Sequence, residues 1–134
     1  MKLEGGCHCG AVRYAISAKP MQSMICHCRT CRRVSGGLVV AWITVDPAAF
    51  AITRGEPKPY SSSPGVARSF CCDCGAQLTY AREDDASYID ITTTTLDDPD
   101  PFPPSHHSWL SHDIAWVKFG DDLPKYRKSR ADGV

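Results

Sequence analysis

Apolar and polar positions alternate with a period of two along much of the chain, in short runs separated by Gly and Pro. In Ala11–Ile16, Val12, Tyr14 and Ile16 fall on one face, the pattern of a half-buried strand. Met21–Cys26 reads as a second strand. Leu38–Val45 is the longest apolar run, and its β-branched content between Gly37 and Pro47 favours a buried strand over a helix. Further strands are expected at Ala51–Arg54, Val66–Phe70, Gln77–Ala81, Tyr88–Thr93 and Ala115–Phe119. One short helical turn is expected at Thr30–Val34, stopped by Ser35-Gly36-Gly37. The proline-rich stretch 97–104 must be a loop, because proline can neither donate to a ladder nor continue a helix. The pattern predicts a mainly β fold in one domain over residues 1–126, with residues 127–134 a charged, flexible tail.

Composition narrows the class. The 134 residues carry 15 basic and 15 acidic side chains, so no basic surface advertises nucleic acid or an anionic membrane. The N-terminus lacks the apolar stretch of a secretory signal, and no run approaches the ~18 apolar residues of a membrane span. Cytoplasmic residence is the resulting expectation, and with it reduced cysteines that bind metal rather than form disulfides.

All eight cysteines lie in three clusters, Cys7-His8-Cys9-Gly10, Cys26-His27-Cys28-Arg29-Thr30-Cys31 and Cys71-Cys72-Asp73-Cys74-Gly75. The outer two each end in a glycine, which lets the backbone turn and aim amide N–H groups at the sulfurs. They look like matched knuckles, so Cys7, Cys9, Cys71 and Cys74 are expected to share one closed structural zinc. The central trio, Cys26, Cys28 and Cys31, offers three ligands and leaves one position open, the arrangement of a catalytic zinc suited to a substrate thiolate. Two Zn²⁺ per chain are thus expected, and seven thiolates around them would bring the net charge to about −3.

Arg29, Arg32 and Arg33 follow the trio and are candidates for holding an anionic substrate, by the affinity of guanidinium for carboxylate. Cys72 reads as a spare thiol, and His8 and His27 as spectators between ligands. Ser35 is either a donor to substrate oxygen or the cap of the turn after the trio. Trp42, Trp109 and Trp116 read as core residues.

Gly6–Gly10, Cys26–Gly36 and Phe70–Leu78, followed by Thr95–Pro99, His107 and Trp116–Tyr126, resemble in order the glutathione-dependent formaldehyde-activating enzyme family, which includes centromere protein V. The resemblance implies a fold of the Mss4-like type, a structural zinc on Cys7, Cys9, Cys71 and Cys74, and a catalytic zinc on Cys26, Cys28 and Cys31. It further implies a carbon–sulfur lyase of the S-(hydroxymethyl)glutathione synthase type, joining a glutathione-like thiol to a small carbonyl compound such as formaldehyde. His107 matches a family position and, with Ser35, is a nominee for proton transfer. The alternative is a non-catalytic, zinc-stabilised binding module. Nothing in the sequence indicates the oligomeric state.

Overall fold

The computed structural model describes residues 2–133. Ten strands follow in chain order: β1 (Leu3–Gly6), β2 (Arg13–Ile16), β3 (Gln22–Cys26), β4 (Val40–Val45), β5 (Phe50–Arg54), β6 (Lys58–Ser63), β7 (Val66–Phe70), β8 (Gln77–Arg82), β9 (Asp85–Thr92) and β10 (His106–Ser108). A single two-turn helix, α1 (Arg29–Ser35), lies between β3 and β4. The mainly β class is as expected. The strands form a three-stranded sheet, β1-β2-β5, and a seven-stranded sheet, β10-β3-β4-β9-β8-β7-β6, antiparallel except where β10 lies parallel to β3.

Alternation decides what each face of the large sheet does. Ile43, Val45 and Ile91 join Tyr14 and Ile16 of the small sheet in the main buried core. Residues of opposite phase form a cross-strand row, because directly opposed residues in antiparallel pairs share a face. That row runs Gln22–Thr44–Asp90–Tyr80–Arg68, one residue from each of five strands. A second row places Met24 opposite Trp42, and His106 beside Met24 across the parallel pair. Polar and aromatic residues thus meet on one face although they are scattered over 85 positions of sequence.

Three strands were not expected. β1 and β6 carry Gly, Ser and Pro rather than β-branched residues, and lie at sheet edges where pairing needs little burial. β10 has only three residues, all buried. Ala115–Phe119, expected as a strand, is instead a turn and an irregular segment with Trp116 71% exposed. Its role is to cover, because the Phe119 ring packs 5.4 Å from His27 and 4.8 Å from His107. Residues 127–133 are held to the body of the protein. The carbonyls of Arg127 and Lys128 accept from the amides of Ser111 and Trp109, and Ser129 caps a 3₁₀ turn at Arg130–Asp132. These backbone bonds, which composition does not reveal, order a charged segment that had read as a free tail. Among the described residues no helix is long and apolar enough to cross a membrane.

Candidate metal centres and the adjoining cavity

The outer cysteines meet as matched knuckles. Cys7 and Cys9 lie in the β1–β2 connection, Cys71 and Cys74 in the β7–β8 connection, and their four sulfurs fall within 4.8 Å of one another. Cys7 Sγ is 3.7 Å from Cys9 Sγ, and Cys9 Sγ is 3.8 Å from Cys71 Sγ. A tetrahedron with Zn–S bonds near 2.3 Å has edges of about 3.8 Å, so the spacing fits that ion. Gly10 and Gly75 both adopt φ +80°, a left-handed turn that non-glycine residues rarely adopt. The Val12 amide donates to Cys7 Sγ at 3.2 Å. Cys72 and His8 are exposed, and neither belongs to the four-sulfur group.

The central trio forms where β3 runs into α1. Cys26 ends the strand, Cys28 is the N-cap of the helix, and Cys31 lies in its first turn. The Cys31 amide donates to Cys28 Sγ at 3.2 Å, so helix initiation and thiolate stabilisation are one contact. Hydrogen bonds from Cys26 and Cys31 push the Cys28 thiol down to about 2, while the same contacts hold Cys26 far above the ordinary thiol range. Three thiols this close oppose one another's ionisation. A divalent cation is the kind of partner that lets all three ionise together.

A cavity of about 790 Å³ opens beside the trio, a size suited to a small organic ligand. Cys26, Cys28 and Cys31 line it, whereas none of the four outer cysteines does. Its floor is the polar–aromatic face of the large sheet. Trp42 and Tyr80 pack 6.1 Å apart, with the Arg68 guanidinium 5.9 Å and 5.0 Å from their ring centres. Arg68 is only 3% exposed, donating through Nε to Ser62 Oγ at 2.8 Å and through Nη2 to Cys31 Sγ at 3.5 Å. Asp90 accepts a 2.6 Å hydrogen bond from Thr44, and burial pushes its carboxyl up to about 6 despite that bond and the nearby Arg68.

The nominated residues fall elsewhere. His107 is 1% exposed and does not line the cavity; its neighbour His106 does, because alternation along β10 sends the two rings to opposite faces. His107 instead contacts His27 and Asp121. Ser35 donates to the Cys31 carbonyl at 2.8 Å and accepts from the Gly37 amide, a helix-terminal arrangement outside the cavity. Arg29 and Arg33 are exposed, Arg32 donates to the His112 carbonyl at 2.9 Å, and none of the three lines the cavity. The cavity's cations are Arg68, Arg82 and Arg130, the first on β7, the second closing β8 and the third in the final 3₁₀ turn.

Sequence reading passed over Arg68, Asp90 and His106. Two of them carried a signal, a charge set among apolar residues of a strand. Arg68 follows Val66 at a spacing of two, and Asp90 interrupts Ile89 and Ile91. Such a charge is expensive to bury and marks a face that needs it.

The sequence profile described as glutathione-dependent formaldehyde-activating enzyme matches residues 2–112. A Halomonas elongata protein provisionally named a glutathione-dependent formaldehyde-activating enzyme is 30% identical over 128 residues, covering 88% of this chain and 81% of its own. A crystal structure of a Rhodobacter sphaeroides protein superposes with a TM-score of 0.59 at 18% identity, covering 92% of this chain and 98% of that one. This likeness extends over the whole fold.

Proposed function

The chain belongs to the glutathione-dependent formaldehyde-activating enzyme family, and from that premise we propose that it forms or cleaves the adduct between a glutathione-like thiol and a small carbonyl compound such as formaldehyde. The reaction type is that of a carbon–sulfur lyase, S-(hydroxymethyl)glutathione synthase. One observation carries the proposal. Three sulfurs converge on the wall of a cavity large enough for substrate, while the four-sulfur group is kept away from it. A closed set of four suits stability, and an open set of three beside a cavity suits chemistry.

Cys26, Cys28 and Cys31 would hold a Zn²⁺ with an open position, which supplies a site that lowers the pKa of an entering thiol. Cys7, Cys9, Cys71 and Cys74 would hold the second, structural ion. The protein's own residues supply the rest. The aromatic floor of Trp42 and Tyr80 excludes water, and holding thiol and carbonyl together turns a bimolecular encounter into a local one. Asp90, largely protonated below about pH 6, is the buried proton carrier on the cavity floor.

The test is a screen of thiol–aldehyde pairs with zinc-loaded protein, following exchange between free and adduct carbon by NMR of ¹³C-formaldehyde. Acceleration with glutathione or another thiol, lost in Cys28→Ser, is the expected result. No acceleration with any pair, together with metal spectroscopy showing a fourth protein ligand at the second ion, favours a zinc-stabilised binding module.

A further inference from the structure

Among the buried polar atoms of the described residues, Arg68 Nη1 and His106 Nε2 have no hydrogen-bond partner, and both side chains line the cavity next to the trio. An orphaned donor of this kind has lost its water without compensation unless something supplies an acceptor. Arg68 is also held rigidly, with Nε tied to Ser62, Nη2 tied to Cys31 Sγ, and the plane lying over Trp42 and Tyr80. Only Nη1 is left to serve a ligand. A guanidinium fixed on three sides is preorganised, so it loses little in receiving an oxygen anion.

We infer that Arg68 is the catalytic residue that binds the oxygen of the carbonyl partner as negative charge develops on it. The inference rests on the thiol–carbonyl reading above. Nη1 and Nη2 share one carbon, so the free nitrogen lies close to the atom that touches Cys31. In the adduct the oxygen is likewise one carbon away from the substrate sulfur. A sulfur seated among Cys26, Cys28 and Cys31 thus brings that oxygen, rather than a remote group of the substrate, into the zone Nη1 serves. The substrate sulfur adds its electron pair to the carbonyl carbon and the C=O π pair moves to oxygen. The proton lost by the thiol is returned to that oxygen, so no other reactant is consumed. The reverse reaction returns the pair to the C=O bond as the C–S bond breaks.

The experiment compares two small thiols that differ in one group, mercaptoacetate and ethanethiol. Mercaptoacetate carries an anionic oxygen one bond farther from the sulfur than the adduct oxyanion and is a stable anionic probe of the same zone. Binding to zinc-loaded protein is followed by calorimetry, with zinc counted before and after. The wild-type protein is expected to prefer mercaptoacetate by about ten- to a hundredfold, the worth of one charge-assisted hydrogen bond. Arg68→Met is expected to abolish the preference while ethanethiol still binds. Arg68→Lys keeps the charge but has one nitrogen for three acceptors, so an intermediate preference is expected, and this variant decides the matter if Arg68→Met does not fold. Equal binding of the two thiols by the wild type, or a preference undiminished in both variants, overturns the role of Arg68 while leaving the thiol–carbonyl reading standing. Binding of neither thiol overturns both.

Discussion

His27 Nε2 lies 2.9 Å from His107 Nδ1, and His107 Nε2 lies 3.0 Å from Asp121 Oδ2. One carboxylate thereby sets two rings. With a proton on the nitrogen facing Asp121, the neutral form of His107 offers Nδ1 as an acceptor to a proton on His27 Nε2. His27 sits between Cys26 and Cys28, and Phe119 closes over both rings. The contact makes His107 a support for the trio's loop, acting through His27.

His107→Ala should therefore act on metal at the trio rather than on overall fold. Removing such a support commonly lowers metal affinity about 10–100-fold. Zinc counting after mild chelation should fall from two ions toward one, with the β-type circular dichroism retained. Retention of both ions at wild-type affinity would show that the histidine pair does not position the trio.

The two cysteine groups should fail differently when broken. Cys9 and Cys71 are 62 residues apart, so a shared ion would tie the β1–β2 connection to the β7–β8 connection. Binding at such a site is folding free energy, of order 10 kcal/mol, comparable with the whole stability of a domain. Cys74→Ser should give unfolded or insoluble protein. Cys28→Ser removes a ligand from a group spanning six residues, so the fold should survive and activity disappear, with the serine hydroxyl able to keep the N-cap. The opposite outcome by circular dichroism and zinc counting would reverse the two assignments.

Asp90 makes stability depend on pH. Its carboxyl rises from 3.8 to about 6 because burial disfavours the charge, so between these values the folded state holds a proton that the unfolded state releases. Its contribution is fully present below pH 4 and lost as pH rises through 6, by roughly 3 kcal/mol at 1.36 kcal/mol per unit. Denaturant unfolding of wild type and Asp90→Asn from pH 4 to 7 should show this difference, with the variant flatter by that amount. Parallel curves would mean that Asp90 ionises without penalty.

Arg32→Ala should change stability and leave substrate choice alone. Its guanidinium donates to the His112 carbonyl and does not line the cavity. Loss of that bond is expected to cost about 1–2 kcal/mol, while the ratio of Michaelis constants for acidic and neutral thiols stays constant. A selective rise for the acidic thiol would return Arg32 to the substrate.

Covalent neighbourhood made the cysteine groups legible in the sequence. C-x-C and C-x-x-C spacings force sulfurs together whatever the rest of the chain does, and the glycines after them revealed which knuckles match, as φ +80° at Gly10 and Gly75 bears out. Period-two alternation likewise determined the strands with buried faces, from Val12–Ile16 to Val40–Val45. The composition of the cavity was decided only in three dimensions. Arg68, Asp90 and Trp42 meet because five strands pair in one register, and a shift of a single residue would send each to the opposite face. The exchange of His107 for His106 on the cavity wall has the same origin, since adjacent residues of a strand look identical in sequence and opposite in the sheet. The chain's local chemistry brings the sulfurs together, and the non-local hydrogen-bond register chooses their company.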